Sequence, residues 1–218
     1  MTTIRFIGNA FITILLCVTL AMCSHRPAPV EYNGHTHIDL GLPSGTKWAT
    51  CNLGAASPEN YGDFYSWCET QPHKPMIPNE RLWHENELGI LRRHGAINDN
   101  NNLTAEYDAA TANWGGKWRM PTKTEFEELF RMCEIEKHED YVLFIGPNGN
   151  TLILPYAGEK EQSIFRTTYD ISGGRIGHYW SASADSWHHL SCYYYALRSH
   201  KICKSYSHMG YSVRPVCD

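Results

Sequence analysis

Apolar positions along this chain recur with three different spacings, and each spacing predicts a different element. The first is an unbroken run. Phe6 to Met22 is apolar apart from Asn9 and a few small polar residues, and it follows a short MTTIR opening with one positive charge. A charged n-region before an apolar h-region is a leader pattern, at the lower edge of what spans a bilayer. The second spacing is helical. Phe126, Leu129, Phe130 and Cys133 fall at i, i+3, i+4 and i+7, which predicts one buried stripe. Thr122 and Glu125 form a capping box ahead of it and Pro121 sets the chain's entry, so a helix is predicted from Thr122 to near Lys137. Asp108 is placed to cap a shorter helix over Ala109 to Asn113.

The third spacing is strand-like. His35 to Asn52 reads as two short strands around Pro43-Ser44-Gly45. Tyr141 to Ile145 and Asn150 to Leu154 flank Pro147-Asn148-Gly149, a hairpin signal because Asn-Gly tolerates positive φ. Tyr179 to Ser183, Cys192 to Leu197, Ile202 to Tyr206 and Tyr211 to Val216 complete a β-rich C-terminal half. Residues 54 to 104 are rich in Gly, Pro, Asn and His, and predict long loops with one helical turn in Asn86 to Arg93. The class is α+β in one domain, with two short helices early and an antiparallel sheet late.

Composition sharpens this. A content of 42% apolar and 12% aromatic residues supports a packed core, and the net charge of −4 comes without a Lys/Arg run. Nucleic acid and anionic lipid surfaces are therefore disfavoured as partners. The leader, 1–22, ends in Leu20-Ala21-Met22-Cys23, a lipobox-like order that makes Cys23 the predicted lipid attachment point and mature N-terminus. An ordinary cleaved signal or an uncleaved anchor remains an alternative. Residues 23–33 then form a tether and 34–218 the domain. Cysteines 51, 68, 133, 192, 203 and 217 are even in number behind an export signal, which favours disulfides, and no C-x-x-C is present.

Six segments occur in an order that resembles a known family: DLGLPSGTKWATCNLGA (39–55), YGDFYSW (61–67), NWGGKWRMPTKTEFEEL (113–129), GPNGNTLILPYAG (146–158), YWSAS (179–183) and YSVRPVC (211–217). They look like the Fibrobacter succinogenes major paralogous domain, common in exported bacterial proteins and often found on lipoproteins. The Arg-x-Pro-Thr segment is also similar to formylglycine-generating domains. Both resemblances imply a C-type-lectin-like fold with paired N- and C-terminal strands and long loops. The same pairing implies a Cys51–Cys217 disulfide. Cys68 departs from the family pattern, standing where Gly is expected.

Candidate chemistries divide unevenly. Calcium-dependent sugar binding needs hard oxygen ligands, but Gln71-Pro72-His73 puts an imidazole where an oxygen is required and no Trp-Asn-Asp occurs. Asp99 lies in an Asn-rich loop without spaced carboxylates. No calcium, other metal or cofactor is expected, since His35, His37, His188 and His189 lack convergent partners. Formylglycine-generating enzymes use two late cysteines, for which Cys192 and Cys203 are the counterparts, but no Asn-Arg-Tyr-Arg segment follows Cys203. Aromatics are the remaining signal. Trp187, Tyr193 and Tyr206 are the predicted ligand-binding residues, within a crowd that includes Tyr194, Tyr195 and Tyr211. Alternation puts Tyr193 and Tyr195 on one face and Tyr194 on the other, so one set belongs to the core.

The expected function is a non-catalytic, lipid-anchored cell-envelope protein that binds a glycan or another envelope protein through loops 54–104 and 184–191. A structural or adhesive surface protein is one alternative; a cysteine enzyme using Cys192 and Cys203 is the other.

Overall fold

A computed structural model of the chain describes residues 28–74, 88–161, 167–170, 172–185 and 192–218. The leader, Cys23 and Trp187 lie outside them. Among the described residues the chain is mixed α+β, with three short helices and mostly antiparallel strands. It opens with β1 (Val30–Tyr32), β2 (His35–Asp39) and β3 (Lys47–Ala49), an antiparallel meander. The last strand, β12 (Val216–Cys217), returns to pair with β3, so both ends of the domain share one sheet. A second sheet joins β4 (Phe64–Tyr65), β8 (His178–Ala184), β9 (Cys192–Ala196), β10 (Lys201–Ser205) and β11 (Tyr211–Ser212) in the order β10-β9-β8-β11-β4. The third is β5 (Glu134–Lys137), β6 (Tyr141–Ile145) and β7 (Thr151–Pro155). The helices are α1 (Leu88–Arg93), α2 (Ala109–Trp114) and α3 (Lys123–Met132).

Local chemistry explains most boundaries. Asp108 caps α2 through Thr111 N at 3.0 Å and also accepts from Met120 N at 2.8 Å, tying the helix start to the Trp118–Arg119–Met120 segment. Thr122 and Glu125 complete the capping box of α3. The β6–β7 hairpin turns at Gly149, whose φ of 80° belongs to the left-handed region, while Asn148 and Asn150 both donate to Asp39 O on β2. That contact joins the third sheet to the first.

Two large apolar clusters hold the layers together. One gathers Trp67, Trp180, Tyr211 and Val213 with the first turn of α2. The other packs Phe126 and Leu129 of α3 against Trp48, Phe144 and Tyr195, the Phe126 and Tyr195 rings stacking at 5.2 Å. Trp48, Trp67, Trp118 and Trp180 are all buried to within 1% exposure, a packing role.

Several expectations change. Helix α3 stops at Met132, with Cys133 already extended, because Glu134–Lys137 pairs with Val142–Ile145 instead of continuing the helix. The buried stripe loses Phe130, which is 42% exposed, and gains Glu125 and Glu128. Glu128 accepts from Ser44 N at 3.0 Å and Glu125 from Thr46 Oγ1 at 3.0 Å, so the 43–46 turn docks on the acidic side of the helix. The segment 211–216 is two strands in two sheets, not one strand. Arg214 lies fully buried at the crossing and donates to Asn52 Oδ1, Ala49 O and Thr50 O at 2.7–3.0 Å. Its guanidinium is pulled down to about 10 by burial, with no carboxylate among the described residues as counter-ion.

The Cys51–Cys217 disulfide is not formed; both thiols are free. Register is the reason. Cys217 pairs with Lys47, four residues before Cys51, an offset of roughly 13 Å at strand rise. A disulfide tolerates Cα separations only up to about 7 Å.

Candidate functional site

The register of the β8–β9–β10 ladder places His178 beside Ala196, and Tyr194 beside both Trp180 and Cys203. His178, Tyr194, Ala196 and Cys203 therefore share one face of the second sheet. Above it lies the hairpin Tyr169–Arg175, joined by a bridge between its two end residues. Between hairpin and sheet is a cleft of about 640 Å³, whose further lining includes Glu159, Thr167, Asp170 and Arg198. This volume falls within the roughly 300–1,000 Å³ typical of small-molecule pockets.

The floor is aromatic. The rings of His178 and Tyr194 are 4.6 Å apart, those of His178 and Tyr211 5.0 Å, and those of Tyr194 and Tyr211 4.8 Å. Burial pushes the phenols of Tyr194 and Tyr211 well above the ordinary tyrosine range, so both act as neutral hydroxyls. His178 Nδ1 lies 2.8 Å from Glu159 Oε2. An ionised carboxylate only accepts, so Nδ1 is the donor of this pair, and in the neutral ring so oriented Nε2 is the acceptor.

The rim is set by one residue. Asp170 Oδ1 accepts from Ser172 N at 2.9 Å, Ser172 Oγ at 2.6 Å and Gly174 N at 2.9 Å, closing the tip of the hairpin. Its other oxygen takes the Arg198 guanidinium, which lies against Gly174 so closely that a Cβ there would collide with it. The Ser172 hydroxyl, then the Gly174 amide, and behind them Arg198 hold the Asp170 carboxyl down at about 2. Arg175 stacks on the Tyr169 ring, 5.4 Å from its centroid, and pairs outward with Asp140 at 2.8 Å and Glu139 at 3.4 Å.

The residues singled out from sequence are distributed differently. Tyr193 points to the opposite face from Tyr194 and sits under two ammonium groups, Lys123 Nζ at 4.6 Å and Lys204 Nζ at 5.6 Å from its ring centroid. Tyr206 is 62% exposed and stacks on His208 at 5.5 Å. Neither lines the cleft. Tyr195 is core, and half-buried Tyr194 forms part of the floor. Of the cysteine pair, Cys203 lines the cleft, whereas Cys192 is buried and its thiol is pushed well above the ordinary range by desolvation. A nucleophilic thiol needs the opposite shift.

His35 and His37 pack against tryptophan, His35 stacked on Trp114 at 3.7 Å, and burial lowers both imidazoles. Among the described residues no three His, Cys, Asp or Glu side chains converge as a metal site. Cleft residues Glu159, Tyr169, Asp170 and His178 were not singled out from sequence. The Asp170-x-Ser172-Gly173-Gly174 pattern is a local signal that could have pointed to the rim, as an Asp-initiated turn. A scan against family models and searches of curated proteins and of solved structures return no match to this chain.

Proposed function

We propose that this chain is a non-catalytic binding protein of the bacterial cell envelope, exported and lipid-anchored through Cys23, whose cleft over the β8–β9–β10 face takes a glycan. The observation that carries the reading is the combination of an aromatic floor with rigidly held polar groups around one open volume. Sugar rings offer both an apolar face and a fringe of hydroxyls, and such a lining answers both. The pairing of β12 with β3 and the placement of the motif tryptophans in the core are compatible with a C-type-lectin-like domain. That likeness supports a binding role by analogy of scaffold alone.

Detergent-solubilised full-length protein, assayed on a glycan array with EDTA throughout, is expected to give signal on defined sugars. Tyr169→Ala should reduce that signal at least about tenfold without changing the melting temperature, because Tyr169 is 49% exposed at the rim. A blank array overturns the glycan reading. Membrane fractionation of a Cys23→Ser chain tests the anchor: unchanged membrane association would remove it.

An envelope-protein ligand or an adhesive role is the second reading. It is favoured by Phe130 and Met132, which are 42% and 38% exposed on the outer side of α3.

A further inference from the structure

The cleft's charged groups come in pairs, and the pairing bears on the ligand. Glu159 holds His178, Asp170 holds Arg198, and Arg175 is engaged by Asp140 and Glu139 just outside the lining. Among the described residues no cationic side chain in the wall is left without an acidic partner, and the acids around the rim outnumber the guanidiniums. A carboxylate or sulfate on the ligand would meet guanidiniums whose charge is already balanced, beside a surplus of rim acids that repels it, and an ammonium would have to compete with an arginine or with His178 for its acid. A hydroxyl displaces nothing. It can donate to His178 Nε2 or accept from guanidinium N–H groups that remain beyond those bound to carboxylate.

The geometry points to an uncharged pyranose as the ligand of this cleft, seated with its apolar face on Tyr194 and donating one ring hydroxyl to His178 Nε2. This rests on the glycan reading above and narrows it to neutral sugars. His178 is then a specificity-determining residue. Its ring packs against both Tyr194 and Tyr211, and the Glu159 contact at Nδ1 sets its orientation, so the ring is aimed before ligand arrives. Hydroxyl recognition by a preset acceptor discriminates against analogues lacking that hydroxyl, because a buried acceptor is then left unpaired.

The test uses the full-length protein in detergent with EDTA, against a panel of neutral methyl hexopyranosides and their matching methyl hexuronides, at low and high salt. Expected is binding of at least one neutral glycoside, about fivefold or more tighter than its uronide and unchanged between about 50 and 500 mM salt. Uronides binding more tightly, with affinity that falls as salt rises, would overturn the neutral-sugar inference and leave glycan binding standing. No binding by any member of the panel would sink both.

His178→Ala is expected to weaken the neutral glycoside about five- to tenfold. Since that variant removes core contacts as well, nitrogen-15 NMR of the wild-type histidines gives an independent reading. His178 should show a protonated Nδ1 and an unprotonated Nε2 in the free protein, with the Nε2 resonance shifting on addition of the glycoside. An Nε2-protonated ring, or an Nε2 signal untouched by saturating glycoside, would overturn the assignment.

Discussion

Glu125 accepts from Thr122 N, Thr122 Oγ1, Thr46 Oγ1 and both terminal nitrogens of Arg119, at 2.7–3.0 Å. Burial alone would push its carboxyl up; the Arg119 hydrogen bonds and charge, aided by Thr122, overcome this and hold it below the usual glutamate value. A carboxylate with a depressed folded value stabilises the fold above its unfolded value, near 4.5, and that contribution is lost as pH falls through the folded value. Arg119→Met should therefore cost about 2–3 kcal/mol at pH 7, less than a fully buried pair because Arg119 is partly exposed. The melting temperature should drop by roughly 6 °C. In pH-dependent denaturation the variant should lose part of the acid-limb slope below pH 4.5. An unchanged slope would mean the pair is not formed. Residues of this kind explain a limit of sequence reading. The Thr122–Glu125 box is local and was legible, whereas Glu128 is buried because Ser44 reaches it from 84 positions away. Nothing in the i, i+3, i+4 pattern announces such a partner, so the apolar stripe was drawn through Phe130 instead.

At the scale of elements, the Tyr169–Arg175 hairpin is a rim held by its own turn and by ion pairs at Asp170 and at Arg175. Asp170→Ala removes the acceptor for Ser172 and Gly174 together with the Arg198 partner. Amide exchange at Gly174 should then accelerate at least about tenfold while exchange in β8 and β9 stays unchanged. Uniform acceleration would show that the hairpin is not an independent unit. In the wild-type chain the Asp170 carboxyl, depressed from 3.8 to about 2, keeps its contribution above pH 4 and loses it as pH falls through about 2. Protection at Gly174 should follow that window. The hairpins, the caps of α2 and α3 and the strands of the C-terminal half were visible from periodicity and turn residues. The cleft was not, because it is assembled from residues 159–203 by a ladder register and an overhead hairpin that no single window contains. Strand β5 was hidden for a related reason: its residues continue a helical pattern, and only the β6 partner turns them into a strand.

Across the whole molecule, the chain's two ends meet in one sheet, and Arg214 bridges the crossing between sheets with three carbonyl-type acceptors. Because register keeps Cys51 and Cys217 apart, both should alkylate in protein unfolded without reductant; a linked peptide pair containing them would require a different β3–β12 register. The self-paired charges of the cleft also govern the tempo at which ligand comes and goes. An uncharged sugar feels no long-range pull from such a wall, so encounters proceed without electrostatic steering. At unsteered association rates of about 10⁶ M⁻¹ s⁻¹, a roughly micromolar affinity means release about once per second. Single contacts of that lifetime are brief. Copies arrayed on a surface and facing a repeating polymer would instead hold by number, each site rebinding before its neighbours let go.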